Sequence, residues 1–394
     1  MSGALMSSYQ RLPVAFVRGE GVWLWDTEGR RYLDAVGGIA VCALGHAHPA
    51  VARAVAEQAA ILVHTSNLYR IPSQERLAER LVALAGMDQA FFCNSGAEAN
   101  EAAIKIARLL GHERGLEVPS IVVMEGAFHG RTLATLTASG TRKVQAGFEP
   151  LVQGFVRVPY GDLEVLRALG AHRREIVAVL CEPIQGEGGV VMPPPGYLAG
   201  LREVCDRHGW LLMLDEVQTG MCRTGRWFAF QHEGVTPDVM ALAKSLGNGV
   251  PIGACLARGA AAGLIRPGKH ASTFGGNPLA CRAALAVLDV LEGGRLAERA
   301  AALGEALLER LRRTLGGVPG VVEIRGRGLI IGVVLDRPCG ELVERALGLG
   351  LLINVTAERV VRLLPPLIMS DAEALVLVER LGTVLREFLG GGGT

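Results

Sequence analysis

WLLMLDEVQTG, residues 210–220, is a run of five apolar residues followed at once by two carboxylates, a valine and a glutamine. Five consecutive apolar residues lack the alternation of a half-exposed strand. They read as a strand buried on both faces, the pattern of a parallel sheet covered by helices. Similar runs stand at 90–93 (AFFC), 120–124 (SIVVM), 176–181 (IVAVLC), 239–243 (VMALA) and 252–256 (IGACL). Segments of helical period, such as 97–110 and 196–208, separate several of them. This alternation predicts an α/β domain with a mostly parallel sheet over residues 50–285.

Outward from that region the texture changes. LAERAAALGEALLERLRRTL (296–315) reads as a helix, GVVEIRGRGLIIGVVL (320–335) as paired strands, and DAEALVLVERLGTVLREFL (371–389) as a last helix before a disordered-looking GGGGT tail. Residues 286–394 are therefore expected to form a smaller α+β domain. VWLWDTEGRRYLDAV (22–36) has the pattern of a hairpin around Asp-Thr-Glu-Gly. Residues 1–49 are expected to pack on the small domain, so that it is built from the two chain ends.

The 394-residue chain is long enough for two domains. Its 40 basic and 39 acidic residues nearly cancel, which argues against a general attraction to nucleic acid or to a membrane surface. No run of 18 or more apolar residues is present, and MSGALMSSYQRLP lacks the basic and apolar regions of a secretory signal. The eight cysteines form no CxxC pair, and several lie inside apolar runs. They read as reduced thiols of a cytoplasmic protein, with no metal cluster or disulfide framework.

In an open α/β sheet, ligands collect beyond the carboxyl ends of the strands. The residues following the apolar runs are Asn94-Ser95-Gly96-Ala97-Glu98, Phe128-His129-Gly130-Arg131, Glu182 to Glu187, Asp215-Glu216-Val217-Gln218, and Lys244. Each has a plain structural reading: Asn94 and Ser95 as helix caps, Asp215 as a turn cap, Phe128 as core, Lys244 as a solvated surface residue. The set allows more. A Ser-Gly-Ala turn feeding a helix start offers free N–H groups to a phosphate. Lysine occurs only at 105, 143, 244 and 269, so 36 of the 40 basic residues are arginine. A chain this inclined to arginine keeps a primary amine at 244, and only an amine can form a Schiff base.

Two motifs are set aside. GLIRPGKH (263–270) approaches a phosphate-binding loop, but His270 replaces its Ser or Thr and no apolar strand precedes it. GHAHP (45–49) has two histidines without ligand-spaced partners and reads as a turn.

Taken together, FFCNSGAEANEAAIKIAR, EGAFHGRT, EPIQGEGG, LDEVQTG, ALAKSLGNGVPIGA and STFGGNPLAC resemble the class III (ω-amino acid) pyridoxal-phosphate aminotransferases, in order and over nearly the full chain. That resemblance implies fold type I and pyridoxal 5'-phosphate as cofactor. It implies that Lys244 holds the cofactor and moves protons, that Asp215 pairs with the ring nitrogen, that Gln218 bonds the ring oxygen and that Phe128 stacks on the ring. Gly96 and Ala97 would meet the phosphate, and Thr273 would reach the phosphate of the neighbouring subunit, making a homodimer the active unit. Three departures stand out: Cys222 in TGMCRTG, and Ser245 and Asn248 after the lysine, where glycines are common.

The resemblance is greatest to members that transfer the distal amine of N2-acetyl-L-ornithine to 2-oxoglutarate. It places Arg131, with Ser272 nearby, on the carboxylate of the donor. Arg362 would take the α-carboxylate of glutamate or 2-oxoglutarate, and Glu187 would mask Arg362 when the other substrate is bound. Ile39 stands where a tyrosine aligns in ornithine aminotransferases, which suits an acylated amine. Other readings stay open: a sibling ω-aminotransferase acting on succinylornithine, succinyldiaminopimelate, ornithine or 4-aminobutyrate, an aminomutase, or a cofactor-binding regulatory module without catalysis.

Overall fold

A computed structural model describes residues 4–390. The chain opens with three antiparallel strands, β1 (Phe16–Glu20), β2 (Trp23–Asp26) and β3 (Arg31–Asp34). The turn between β2 and β3 is held by Asp26 Oδ1, which accepts the amides of Glu28 and Arg30 at 3.0 and 2.8 Å. An Asx-type turn of this kind is why Asp-Thr-Glu-Gly closes a hairpin.

Seven strands follow: β4 (Gln89–Cys93), β5 (Ser120–Met124), β6 (Phe155–Val158), β7 (Ile176–Cys181), β8 (Leu211–Asp215), β9 (Val239–Leu242) and β10 (Gly253–Ala257). They form one sheet in the order β4-β10-β9-β8-β7-β5-β6. Strands β5 to β9 are joined by parallel pairings, whereas β10 runs antiparallel to both β9 and β4. A parallel return needs a crossover of about a dozen residues or more. Residues 243–252 leave only ten between β9 and β10, so the chain turns straight back. Strand β6 has no counterpart among the apolar runs. It is a four-residue edge strand, FVRV, with one exposed residue and two half-buried ones, and burial does not force it to be apolar throughout.

Strands β5, β7, β8, β9 and β10 are buried at every residue, as their unbroken apolar runs require. One face packs on the helix Gly96–Glu113, where Ile104 and Ala107 share a core with Val123, Leu180, Met213 and Cys255. The other face joins a larger core reaching Leu291, Leu307 and Leu381. Each large side chain removed from water in these layers contributes about 1.5–3 kcal/mol.

The C-terminal part contains β11 (Val321–Arg327), β12 (Ile330–Leu335), β13 (Leu351–Leu352), β14 (Asn354–Thr356) and β15 (Val360–Leu363). Four of them form the sheet β11-β12-β15-β14, while β13 lies parallel to β3 with Leu351 opposite Leu33. Helix Leu296–Leu315 turns Leu303, Leu307, Leu311 and Leu315 inward at four-residue spacing. The change of texture read near 286 falls inside the continuous helix Pro278–Gly293 rather than in a linker. The last helix runs to Gly390, and the remaining tail residues, 391–394, lie outside the described residues, as do 1–3.

Candidate active site

The carboxyl ends of β4, β5, β7, β8 and β9 open on one cavity of about 410 Å³. Of the residues singled out in the sequence, Gly96, Ala97, Phe128 and Arg131 line it, as do Glu187, Asp215, Gln218 and Lys244. Arg362 stands behind Gln218 and Glu187 and bonds both. Ser272 and Thr273 do not line this cavity within one chain. Ser272 Oγ accepts the amide of Gly275 at 3.0 Å, and Thr273 is exposed beside Phe274.

At the start of helix Gly96–Glu113 the plain reading and the functional one both hold. Ser95 caps the helix by accepting the amide of Glu98 at 3.2 Å, and Glu98 returns a bond to the amide of Asn94 at 2.8 Å. The first intrahelical bond is donated by Ala99 to Ser95, so the amides of Gly96 and Ala97 lie ahead of it and border the cavity. Such amides, at the positive end of an 18-residue helix, suit a phosphate. Glycine is required at 96 because a Cβ there would lie 2.7 Å from Cγ1 of Val217.

Asp215, at the end of β8, is only 4% exposed. Its Oδ2 accepts Nδ2 of Asn100 at 2.8 Å and lies 2.7 Å from Nδ1 of His129, while Oδ1 accepts the amide of Val217 at 3.0 Å. Burial opposes a charge on His129, but the bond to Asp215 and that carboxylate's charge outweigh it and raise the imidazole pKa. A buried carboxylate so surrounded is poised to hold a proton on a ring nitrogen. Nε2 of His129 and Oδ1 of Asn100 remain buried without partners in the chain. Neither residue carried an assigned role in the sequence reading, because nothing local links 100 or 129 to 215.

Glu182, at the end of β7, was likewise given no role. It accepts the amides of Phe128 at 2.9 Å and Gly186 at 3.1 Å, and burial pushes its pKa up to about 7. Lys244 occupies a left-handed backbone position (φ 44°), with one residue between it and the end of β9. Burial lowers its pKa; Arg362 adds to that effect while Glu187, Asp215 and Glu182 oppose it. An amine depressed in this way is closer to the neutral form that a nucleophile or proton carrier needs. Arg131 lies 5.6 Å from the centroid of the Phe128 ring and has no carboxylate partner among the described residues.

Arg362, on β15, is fully buried. Nη1 donates to Oε1 of Glu187 at 2.6 Å, and Nε and Nη2 both donate to Oδ1 of Asn354 on β14, at 2.9 and 2.6 Å. Asn354 is opposite Arg362 in the strand register, a pairing that only the folded sheet reveals. The two histidines of GHAHP do not sit in a turn: His46 forms an isolated bridge with Gly21 and bonds Asp34 at 2.8 Å, and His48 caps the next helix. All eight cysteines are free, and no cluster of metal-binding side chains occurs among the described residues.

An amine, a carboxylate, an aromatic ring and unpaired helix amides thus face one cavity, the groups that a phosphorylated aldehyde cofactor would need. The family model of the class-III aminotransferases matches residues 5–385. An acetylornithine aminotransferase from Nitrosomonas europaea is 60% identical over 98% of both chains. Among solved structures, an ornithine aminotransferase from Toxoplasma gondii, described with partial occupancy of PLP at its active site, superposes with a TM-score of 0.94 at 36% identity, over 98% of this chain and 93% of that one. The N-acetylornithine aminotransferase of Stenotrophomonas maltophilia gives a TM-score of 0.85 at 37% identity, over 97% and 98%.

Proposed function

Because this chain belongs to the class-III aminotransferases, which use pyridoxal 5'-phosphate, we propose that it transfers the distal amine of N2-acetyl-L-ornithine to 2-oxoglutarate, giving N-acetyl-L-glutamate 5-semialdehyde and L-glutamate, as in arginine biosynthesis. The observation that carries this reading is the cavity lined by both Lys244 and Asp215, beside the ion pair that Glu187 makes with the buried Arg362. The 60% identity to an acetylornithine aminotransferase supports the choice of donor.

The bound cofactor supplies an electron sink that makes the carbon bearing the amine acidic. Lys244 would hold that group through its amine and, once the substrate's amine has taken its place there, would be free to carry a proton between the neighbouring carbons; its lowered pKa fits the task. Asp215, oriented by His129 and Asn100, would hold a proton at the ring nitrogen. Phe128 would cover the ring, Gln218 would bond its oxygen, and the amides of Gly96 and Ala97 would meet the phosphate. Arg131 and Ser272 take the carboxylate of the donor. Arg362 takes the α-carboxylate of 2-oxoglutarate through two parallel bonds. Glu187 neutralises Arg362 when the donor is present, so one cavity serves both substrates.

Two copies are needed in this reading, with Thr273 of the partner subunit completing the phosphate site. The exposed apolar residues Ile61, Val63, Leu68 and Phe274 support a face for the second copy. Bonds from Asn67 Nδ2 to the carbonyls of Ser272 and Gly275 tie together the two segments that carry them. We further propose that residues 1–49 and 286–394 work as one small domain against 50–285, a division that the β3–β13 pairing supports. Eight free thiols fit a cytoplasmic setting.

The test is a donor panel on purified protein: N2-acetyl-L-ornithine, its succinyl analogue, L-ornithine, succinyldiaminopimelate and 4-aminobutyrate, each with 2-oxoglutarate. The reading expects the highest kcat/KM for the acetylated donor. A higher value for any of the others would transfer the assignment to that donor.

A further inference from the structure

Residues 37–45 form a strap between β3 and the helix Pro49–Ala59, and they pass over the loop that carries Lys244. Its backbone is unusual. Ile39 and Ala40, neither of them glycine, sit consecutively in the left-handed region at φ 64° and 62°. Across from them, Lys244 and Asn248 also have positive φ, 44° and 46°. Side chains hold such conformations only where the surroundings dictate them.

Here the surroundings are three hydrogen bonds between the lysine loop and the strap. The Oγ of Ser245 donates to the carbonyl of Ala40 at 2.7 Å. The Oδ1 of Asn248 accepts the amide of Leu44 at 2.8 Å, and its Nδ2 donates to the carbonyl of Gly45 at 3.1 Å. Ser245 is 3% exposed, so water cannot replace its bond at little cost. The strap is also tied to the segment after β15: the amide of Leu367 donates to the carbonyl of Ala43 within it, and the amide of Leu364 to the carbonyl of Ala35 just before it, each at 2.7 Å. β15 carries Arg362. The strap therefore links the lysine loop on one side to the arginine strand on the other, and its Val41 lines the cavity between them.

We propose that Ser245 and Asn248 are positioning residues: they latch the strap to the lysine loop and so set the spacing between the Lys244 amine and the Arg362 guanidinium that a bound dicarboxylate must span. The inference rests on the roles proposed above for Lys244 and Arg362. It predicts that the latch acts on how well 2-oxoglutarate and glutamate fit, and not on whether the cofactor is held.

Ser245→Ala removes one bond, and Asn248→Gly removes two while keeping a residue that tolerates positive φ. Each variant is expected to raise KM for 2-oxoglutarate about tenfold, with kcat changed far less. The visible band of the lysine-bound cofactor and its pH midpoint are expected to match the parent protein. Ser245→Thr, which keeps the hydroxyl, restores KM. Hydrogen exchange, read by mass spectrometry on peptides covering 38–46, is expected to quicken in both variants and needs no substrate. Unchanged exchange, or a fall in kcat and cofactor content at constant KM, overturns the latch. Absence of the lysine-bound band from the parent protein would instead overturn the assignment of Lys244, which separates the two failures.

Discussion

Glu187 and Arg362 stand 175 residues apart in the chain, yet Oε1 of one lies 2.6 Å from Nη1 of the other. The guanidinium is fully buried, whereas the Glu187 side chain keeps 35% of its surface accessible. The arginine is fixed on its far side by Asn354, and the glutamate is free to swing toward solvent. That asymmetry fits the proposal that the glutamate is the moving part of the pair. Arg362→Lys keeps the charge but loses the planar fork. It is expected to cost the 2-oxoglutarate half-reaction about 2–5 kcal/mol in kcat/KM and to leave the donor half-reaction nearly intact. Rapid-mixing measurement of the two half-reactions decides; equal losses in both would remove Arg362 from the acceptor site.

Lys244→Arg preserves a positive charge and discards the primary amine. The protein is expected to lose the visible band of the lysine-bound cofactor, and turnover is expected to fall by about 10²–10⁴-fold or more. Absorbance and steady-state rates check this. Retention of both in the variant would contradict the role given to Lys244.

Asp215→Asn keeps the shape of the side chain and removes the charge that raises the pKa of His129. The cofactor should remain attached, since Lys244 is untouched, while kcat falls by about 100-fold or more. A variant with full turnover would show that the ring nitrogen does not need this carboxylate.

Glu216 provides a pH prediction away from the chemistry. It accepts bonds from Thr219 and from the amides of Ala229 and Phe230, yet burial pushes its pKa up from 4.5 to about 7. Between those values the folded chain binds more protons than the unfolded one, so stability declines as pH rises through the window. The decline attributable to Glu216 is about 3 kcal/mol. Glu216→Gln has no proton to lose. Its stability relative to the parent should therefore climb by about that much from pH 4.5 to 7, whatever its offset at low pH. Urea titrations at several pH values measure this, and parallel stability curves would refute it.

Thr273→Ala is expected to weaken cofactor affinity about tenfold or more, the effect of one lost bond to a charged phosphate. If Thr273 acts across the subunit boundary, mixing Thr273→Ala with Lys244→Ala protein yields hybrid dimers with one intact site. Recovery of activity on mixing is the expected result; a mixture no better than its components would place Thr273 in its own subunit's site or in none.

By itself, the sequence determined six of the seven strands of the central sheet, where helix Leu296–Leu315 begins and ends, and that a lone amine follows one of the strands. These are local matters: apolar runs and helical period arise from burial that each segment imposes on its own residues. The direction of β10 was open to the same kind of reasoning, since ten residues cannot make a crossover. Only the tertiary structure decided the partners. Asn100 and His129 on Asp215, Asn354 on Arg362, and Ser245 and Asn248 on the strap are joined by hydrogen bonds across long stretches of chain. A hydrogen bond depends on positions to within a few tenths of an ångström. Such positions follow from the packing of whole layers, so no local pattern of residues records them.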